Sequence, residues 1–126
     1  SAFVDSAAVL AALGDPGCAV LDARSRARFD AEAPEPRPGV RGGHMPGAQC
    51  LPLPTLLEDG RMKSRESLEA LFSQYADREK RLVTSCGSGL TACVLTLGAA
   101  LAGYTELSVY DGSWADWGSD ETLPLA

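Results

Sequence analysis

The chain is predicted to be an α/β domain, a parallel sheet of about five strands with helices on both faces. Three observations predict this. Short apolar runs bounded by turn residues recur near positions 19–21, 49–51, 81–85 and 107–110. The segments between several of them space their apolar residues as a helix does, and strands that alternate with helices in this way pair in parallel. With 126 residues, 45% hydrophobic and 6% aromatic, the chain is one domain, able to bury a core without disulfide staples.

Asp5 and Ser6 precede the apolar run 7–13, so a capped helix starts there and stops at Gly14-Asp15-Pro16-Gly17. A buried strand at 19–21 ends at Asp22-Ala23-Arg24, and 27–31 make a turn of helix. Pro34, Pro36, Pro38 and Gly39 then exclude regular structure, because proline fixes φ and carries no N–H. The turn-rich Gly42-Gly43-His44-Met45-Pro46-Gly47-Ala48 leads into a strand near 49–51, which Pro52 and Pro54 end. Ser64 caps a second helix running to Tyr75, with Leu68, Leu71, Phe72 and Tyr75 at i, i+3, i+4 and i+7. A third strand at 81–85 is followed by a glycine-containing loop and an apolar helix over 90–101, which Gly103 ends. After the strand at 107–110, Asp111-Gly112-Ser113-Trp114 opens a last short helix or turn.

Charge narrows the partners. The net charge of −6 disfavours nucleic acid and anionic membrane surfaces. It is unevenly spread: Arg24, Arg26, Arg28, Arg37 and Arg41 lie with only Asp30, Glu32 and Glu35 between positions 24 and 41, a local +2 against −8 elsewhere. A positive segment on an acidic protein suits either a small anionic ligand or a solvated loop. No apolar stretch reaches the roughly 20 residues of a membrane-spanning helix. The first residues hold no basic stretch followed by an apolar block, so no leader is expected.

Cys18, Cys50, Cys86 and Cys93 lack the paired spacing of zinc sites, and His44 is the one histidine. No metal or organic cofactor is expected, and a reducing, cytoplasmic compartment fits these thiols. The informative segment is Cys86-Gly87-Ser88-Gly89-Leu90-Thr91-Ala92-Cys93. It places Cys86 where a strand gives way to a helix, beside unpaired backbone N–H groups and the positive end of the helix dipole. Such a position favours thiolate, the nucleophilic form. Gly87 and Gly89 let the backbone turn tightly and approach whatever the sulfur carries. Cys93, among Ala92, Val94 and Leu95, is expected to be packed in the helix.

The loop also excludes chemistries. A cysteine-dependent phosphatase needs C-x5-R, but Ala92 occupies the arginine position. No Gly-Lys-Ser/Thr closes a nucleotide loop, and Cys86 and Cys93 are too far apart for C-x-x-C dithiol exchange. A cysteine–histidine hydrolase would need His44 as base, and that residue sits in a turn that explains it structurally. What remains is a thiolate that accepts and hands on a group, with Ser88 and Thr91 as hydroxyl donors. Sulfur transfer fits.

These residues resemble the active-site loop of the 3-mercaptopyruvate sulfurtransferases, within the rhodanese superfamily. Val20-Leu21-Asp22-Ala23-Arg24, Arg28-Phe29, Pro34-Glu35-Pro36-Arg37, Gly43-His44-Met45-Pro46-Gly47-Ala48 and Tyr110-Asp111-Gly112-Ser113-Trp114 carry the resemblance along nearly the whole chain. It implies a rhodanese-like fold and a sulfurtransferase in which Cys86 becomes a persulfide. It also implies that Gly87, Ser88, Gly89, Leu90 and Thr91 supply donors around that persulfide, and that Arg28 and Arg37 bind the donor's carboxylate and keto group. The related thiosulfate-using members carry cations inside the loop; this loop has none. The implied partners are a small-molecule sulfur donor, a thiol acceptor such as thioredoxin, and an N-terminal rhodanese-like domain. Residues 1–126 would then be the catalytic half of a two-domain protein, with its half-cleft left open. A non-enzymatic persulfide carrier or regulatory module is the rival reading. Asp22, Arg24, His44 and Asp111 are expected to be structural, and Trp114 and Trp117 to pack as a lid beside the loop.

Overall fold

The computed structural model describes residues 2–87 and 90–126 of the chain. Five parallel strands form one sheet in the order β1-β7-β6-β2-β3. They are β1 (Ala2–Val4), β2 (Cys18–Asp22), β3 (Gln49–Cys50), β6 (Arg81–Ser85) and β7 (Leu107–Tyr110). A small antiparallel hairpin, β4 (Leu57–Glu58) with β5 (Arg61–Met62), lies outside it. The helices are α1 (Ser6–Leu13), α2 (Arg26–Phe29), α3 (Arg65–Ser73), α4 (Leu90–Leu101) and α5 (Ser113–Trp117), with a 3-10 turn at Leu53–Leu56.

Local chemistry sets most of these boundaries. Asp5 caps α1 by accepting the Ala8 N–H at 3.0 Å, and Ser64 caps α3 by accepting that of Ser67 at 3.2 Å. Each side chain satisfies a donor that the first turn leaves unpaired. The expected sequence strands, α1, α3, α4 and the irregular proline loop all occur. The fifth strand of the sheet is β1, which the pattern did not single out; its three residues pair with β7 at Ala2–Ser108, Phe3–Val109 and Val4–Tyr110.

The sheet buries both faces, as parallel sheets do. On one face Leu21, Leu82 and Val109 pack with Leu68 and Phe72 of α3 and Leu95 and Ala99 of α4. On the other, Val20 and Val83 pack with Val9 of α1 and with Trp114 and Trp117 of α5. Alternation along β6 distributes its side chains between the two faces. Thr84 reaches α4, sharing a 2.8 Å hydrogen bond with Thr96 and donating to the Ala92 carbonyl at 3.2 Å. α4 also approaches its neighbours closely at Gly98, where a Cβ would lie 2.5 Å from a Leu56 methyl. These contacts fix where α4 begins, and so where the segment after β6 must turn.

Two expectations about packing are corrected here. Cys93 is exposed, because the core stripe of α4 runs through Ala92, Leu95 and Ala99, and Cys93 falls outside it. Trp114 and Trp117 are fully buried core residues and do not form a lid. Their indole N–H groups donate to the Arg41 and Pro124 carbonyls, both at 2.7 Å.

Candidate active site

Cys86 follows the last residue of β6, at the carboxyl end of the sheet, where ligands of open parallel sheets bind. The residue is 2% exposed. The sulfur accepts the Ala92 N–H at 3.2 Å, a donor from the first turn of α4. This is the kind of unpaired terminal N–H expected from the sequence.

The rest of the local frame comes from α5. The Cys86 N–H donates to Ser113 Oγ at 3.0 Å, and that hydroxyl donates to the Tyr110 carbonyl at 2.8 Å. The Trp114 and Ala115 N–H groups donate to the Cys86 and Gly87 carbonyls at 2.8 and 2.9 Å. Ser113 is fully buried and adopts φ 51°, a left-handed conformation uncommon for a residue with a side chain. Backbone strain of this kind persists where surrounding contacts over-determine it. Nothing local in Asp111-Gly112-Ser113-Trp114 marks Ser113 as the partner of Cys86, and Asp111, expected to be structural, is exposed.

Gly87 is required for space. Its φ lies outside the left-handed region, but a Cβ there would stand 2.8 Å from Arg28 Nη2 and 3.5 Å from Nη1. The missing side chain lets the Arg28 guanidinium lie against the backbone next to the cysteine. Ser88 and Gly89 lie outside the described residues, as does the side chain of Leu90. Thr91 lines the same depression as Cys86, together with Pro52 and Leu53.

The five arginines between 24 and 41 do not act as one positive patch. Arg24 is buried, joined to both oxygens of Asp22, and its Cζ stands 4.4 Å from the Trp114 ring centre. Arg26 makes an exposed 4.0 Å contact with Asp30. Arg41 donates to the carbonyls of Trp117, Gly118, Asp120 and Leu123, tying down the C-terminal segment. Arg28, 28% exposed, forms a two-bond pair with Glu35 through Nε at 3.1 Å and Nη2 at 2.7 Å. Those bonds push its already high pKa further up. Arg37 is exposed and has no ion-pair partner among the described residues. The positive charge of the segment is thus dispersed: Asp22 and Glu35 pair with Arg24 and Arg28, while Arg26 and Arg37 are exposed, Arg26 on the cavity that holds Cys86 and Arg37 on its neighbour.

Two cavities meet at Arg28 and Gly87. One, of about 170 Å³, is lined by Arg28, Glu35, Pro36, Arg37, Val40, Gly87 and Ala115. The other, of about 430 Å³, contains Cys86, Thr91, Arg26, Arg28 and Gly87 above Pro52 and Leu53. Cys86 itself is buried at the floor of the second cavity. Arg28 stands between the cysteine and Arg37, which do not share a cavity.

Asp22 and His44 are structural, as expected. His44 Nδ1 lies 2.8 Å from the Phe29 carbonyl, and its ring stacks on Phe29 at 3.8 Å between centres. Burial raises the Cys50 thiol pKa, and burial then Asp15 raise that of Cys18. Among the described residues no three His, Cys, Asp or Glu side chains gather to hold a metal, and no helix is long and apolar enough to cross a membrane.

Comparison with known proteins agrees with this architecture. The chain is 41% identical over 118 residues to the 3-mercaptopyruvate sulfurtransferase of Escherichia coli, covering 93% of the chain and 42% of that protein. It is 46% identical over 100 residues to the mouse 3-mercaptopyruvate sulfurtransferase, covering 78% of the chain and 34% of the mouse protein. The crystal structure of the Tum1 protein from Saccharomyces cerevisiae superposes with a TM-score of 0.80 at 30% identity, covering 91% of this chain and 42% of that one. The chain thus spans less than half the length of the curated relatives it matches. Residues 5–120 match the rhodanese-like domain, and the chain belongs to the rhodanese family.

Proposed function

We propose that this domain moves a sulfane sulfur from 3-mercaptopyruvate, or from thiosulfate, through a persulfide on Cys86 to a thiol acceptor such as thioredoxin, or to cyanide. The observation that carries the reading is the Cys86 sulfur, which accepts the Ala92 N–H and lies next to the guanidinium packed on Gly87. A backbone donor favours negative charge on sulfur, and a planar guanidinium suits a carboxylate.

In the first half-reaction the Cys86 thiolate attacks the donor's sulfur. An S–S bond forms, the C–S bond breaks with its electron pair going to carbon, and pyruvate leaves after that carbon takes a proton. In the second, an acceptor thiolate attacks the outer sulfur and the Cys86 thiolate is regenerated. Arg28 and Arg37 bind the donor's carboxylate and keto oxygens from the two sides of Gly87. The N–H and hydroxyl donors to the persulfide are assigned to Gly87, Ser88, Gly89, Leu90 and Thr91, as the family resemblance implies. A reducing compartment such as the cytoplasm would keep Cys86 and an acceptor thiol in the reduced form that this chemistry uses. Since the chain spans less than half of its relatives, we read it as the catalytic half of a two-domain protein, completed by an N-terminal rhodanese-like domain. That domain should raise the turnover of this one.

The test is intact mass after incubation with donor. One added sulfur is expected, absent in Cys86→Ser and retained in Cys93→Ser, with pyruvate released in equal amount. A label that follows Cys93, Cys50 or Cys18 would overturn the assignment. Sulfur acceptance without pyruvate release would favour a persulfide carrier.

A further inference from the structure

Glu35 has an unusual position. Its side chain is 3% exposed, and Oε2 accepts from both Arg24 Nη1 at 3.3 Å and Arg28 Nε at 3.1 Å. Oε1 accepts from Arg28 Nη2 at 2.7 Å. Pro34 and Pro36 flank it, so the ring of one and the steric demand of the other restrict the backbone on both sides. Arg24, its other partner, is held by both Asp22 oxygens, by the Gly43 carbonyl at 2.7 Å and over Trp114. A rigid frame therefore ends in a carboxylate that grips two of the three nitrogens of a long, partly exposed arginine. The third, Nη1, is not bonded to Glu35, and the guanidinium as a whole lies against Gly87 and lines both cavities.

We propose that Glu35 is a positioning residue: its two-bond grip holds the Arg28 guanidinium over Gly87 so that Nη1 is presented to an anionic group approaching Cys86. Without the grip, the arginine gains the rotamer freedom of an ordinary surface side chain and leaves the loop. The proposal deepens the sulfur-transfer reading and rests on it for the identity of the anion.

The sign of one measurement separates positioning from simple charge. Cys86 in the purified chain is alkylated with iodoacetate, an anion, and with iodoacetamide, which is neutral, and the ratio of rates is read from the Cys86 peptide. Glu35→Gln removes a negative charge. If Glu35 only screened Arg28, the ratio would rise. Positioning predicts a fall of about fivefold, the size of one lost charge contact near a surface. A rise or no change in the ratio overturns the proposal, including the case in which both reagents speed up or slow down together. Arg28→Lys, which leaves Glu35 and Arg24 in place, repeats the test if the first variant does not fold. Lysine keeps the charge but cannot make the forked pair, so the ratio should fall again; an unchanged ratio refutes the positioning role. If the unaltered chain takes no sulfur from 3-mercaptopyruvate, the functional reading fails while the alkylation ratio still decides the role of Glu35.

Discussion

Gly87→Ala places one methyl group against the Arg28 guanidinium, next in sequence to the candidate nucleophile. The backbone at Gly87 is outside the left-handed region, so alanine adopts it without strain, and the bond from Ala115 to the Gly87 carbonyl is unaffected. Replacing glycine at such a position restricts the unfolded chain and adds about 0.4–1 kcal/mol of stability. The cost falls on Arg28, whose Nη2 would stand 2.8 Å from the new carbon. That nitrogen must retreat by several tenths of an ångström, and it is already bonded to Glu35 at 2.7 Å. Either this bond lengthens or the guanidinium swings off the loop. In both cases a donor loses one charge-assisted hydrogen bond, worth about 1.5–3 kcal/mol, or about 10- to 100-fold in kcat/KM. The assay pairs thermal unfolding with pyruvate release from 3-mercaptopyruvate. The expected result is an unchanged or raised Tm together with that fall in kcat/KM. Full activity would show that the close approach of Arg28 has no catalytic meaning, and a collapse in Tm would show that Gly87 serves the fold.

Arg37→Ala should raise KM for 3-mercaptopyruvate about tenfold while moving stability by less than about 0.5 kcal/mol, because the side chain is exposed and unpaired among the described residues. Equal losses with a donor lacking a carboxylate would refute its role in reading that group. Stability should also fall in alkali. Burial raises the Cys18 and Cys50 thiols above their ordinary 9.0, and the Tyr104 and Tyr110 phenols above their ordinary 10.0. The folded state thus holds these protons more firmly than the unfolded chain. Their contribution is complete below 9.0 and is lost as pH rises through the raised values. Thermal unfolding followed from neutral pH into alkali should show a steady drop in Tm above that point, and a rising Tm there would contradict it.

The sequence by itself determined whatever depends on a few neighbouring residues. The β6 strand and α4 are legible because an apolar run, two glycines and a second apolar run follow one another within 21 residues, 81–101. The caps at Asp5 and Ser64 act on N–H groups three residues ahead. Placing Cys86 at the carboxyl end of a strand and beside the first turn of a helix follows from the same local order. Tertiary structure alone decided the partners of groups that had several choices. β1 is three residues long and acquires strand character only by pairing with β7 at the far end of the chain. Nothing in the order of residues says that Glu35 takes Arg28 and Arg24, that Arg41 turns to carbonyls near the C-terminus, or that Arg37 remains available. Nor does composition show that α4 turns Cys93 outward, since its neighbours Ala92, Val94 and Leu95 are apolar and the choice of buried face belongs to the sheet and α3. Hydrophobic pattern and capping act through the nearest turns of the backbone, so they can be read along the chain. Charge pairing and side-chain burial are settled by which surfaces meet after the strands have assembled, and those meetings join residues far apart in sequence.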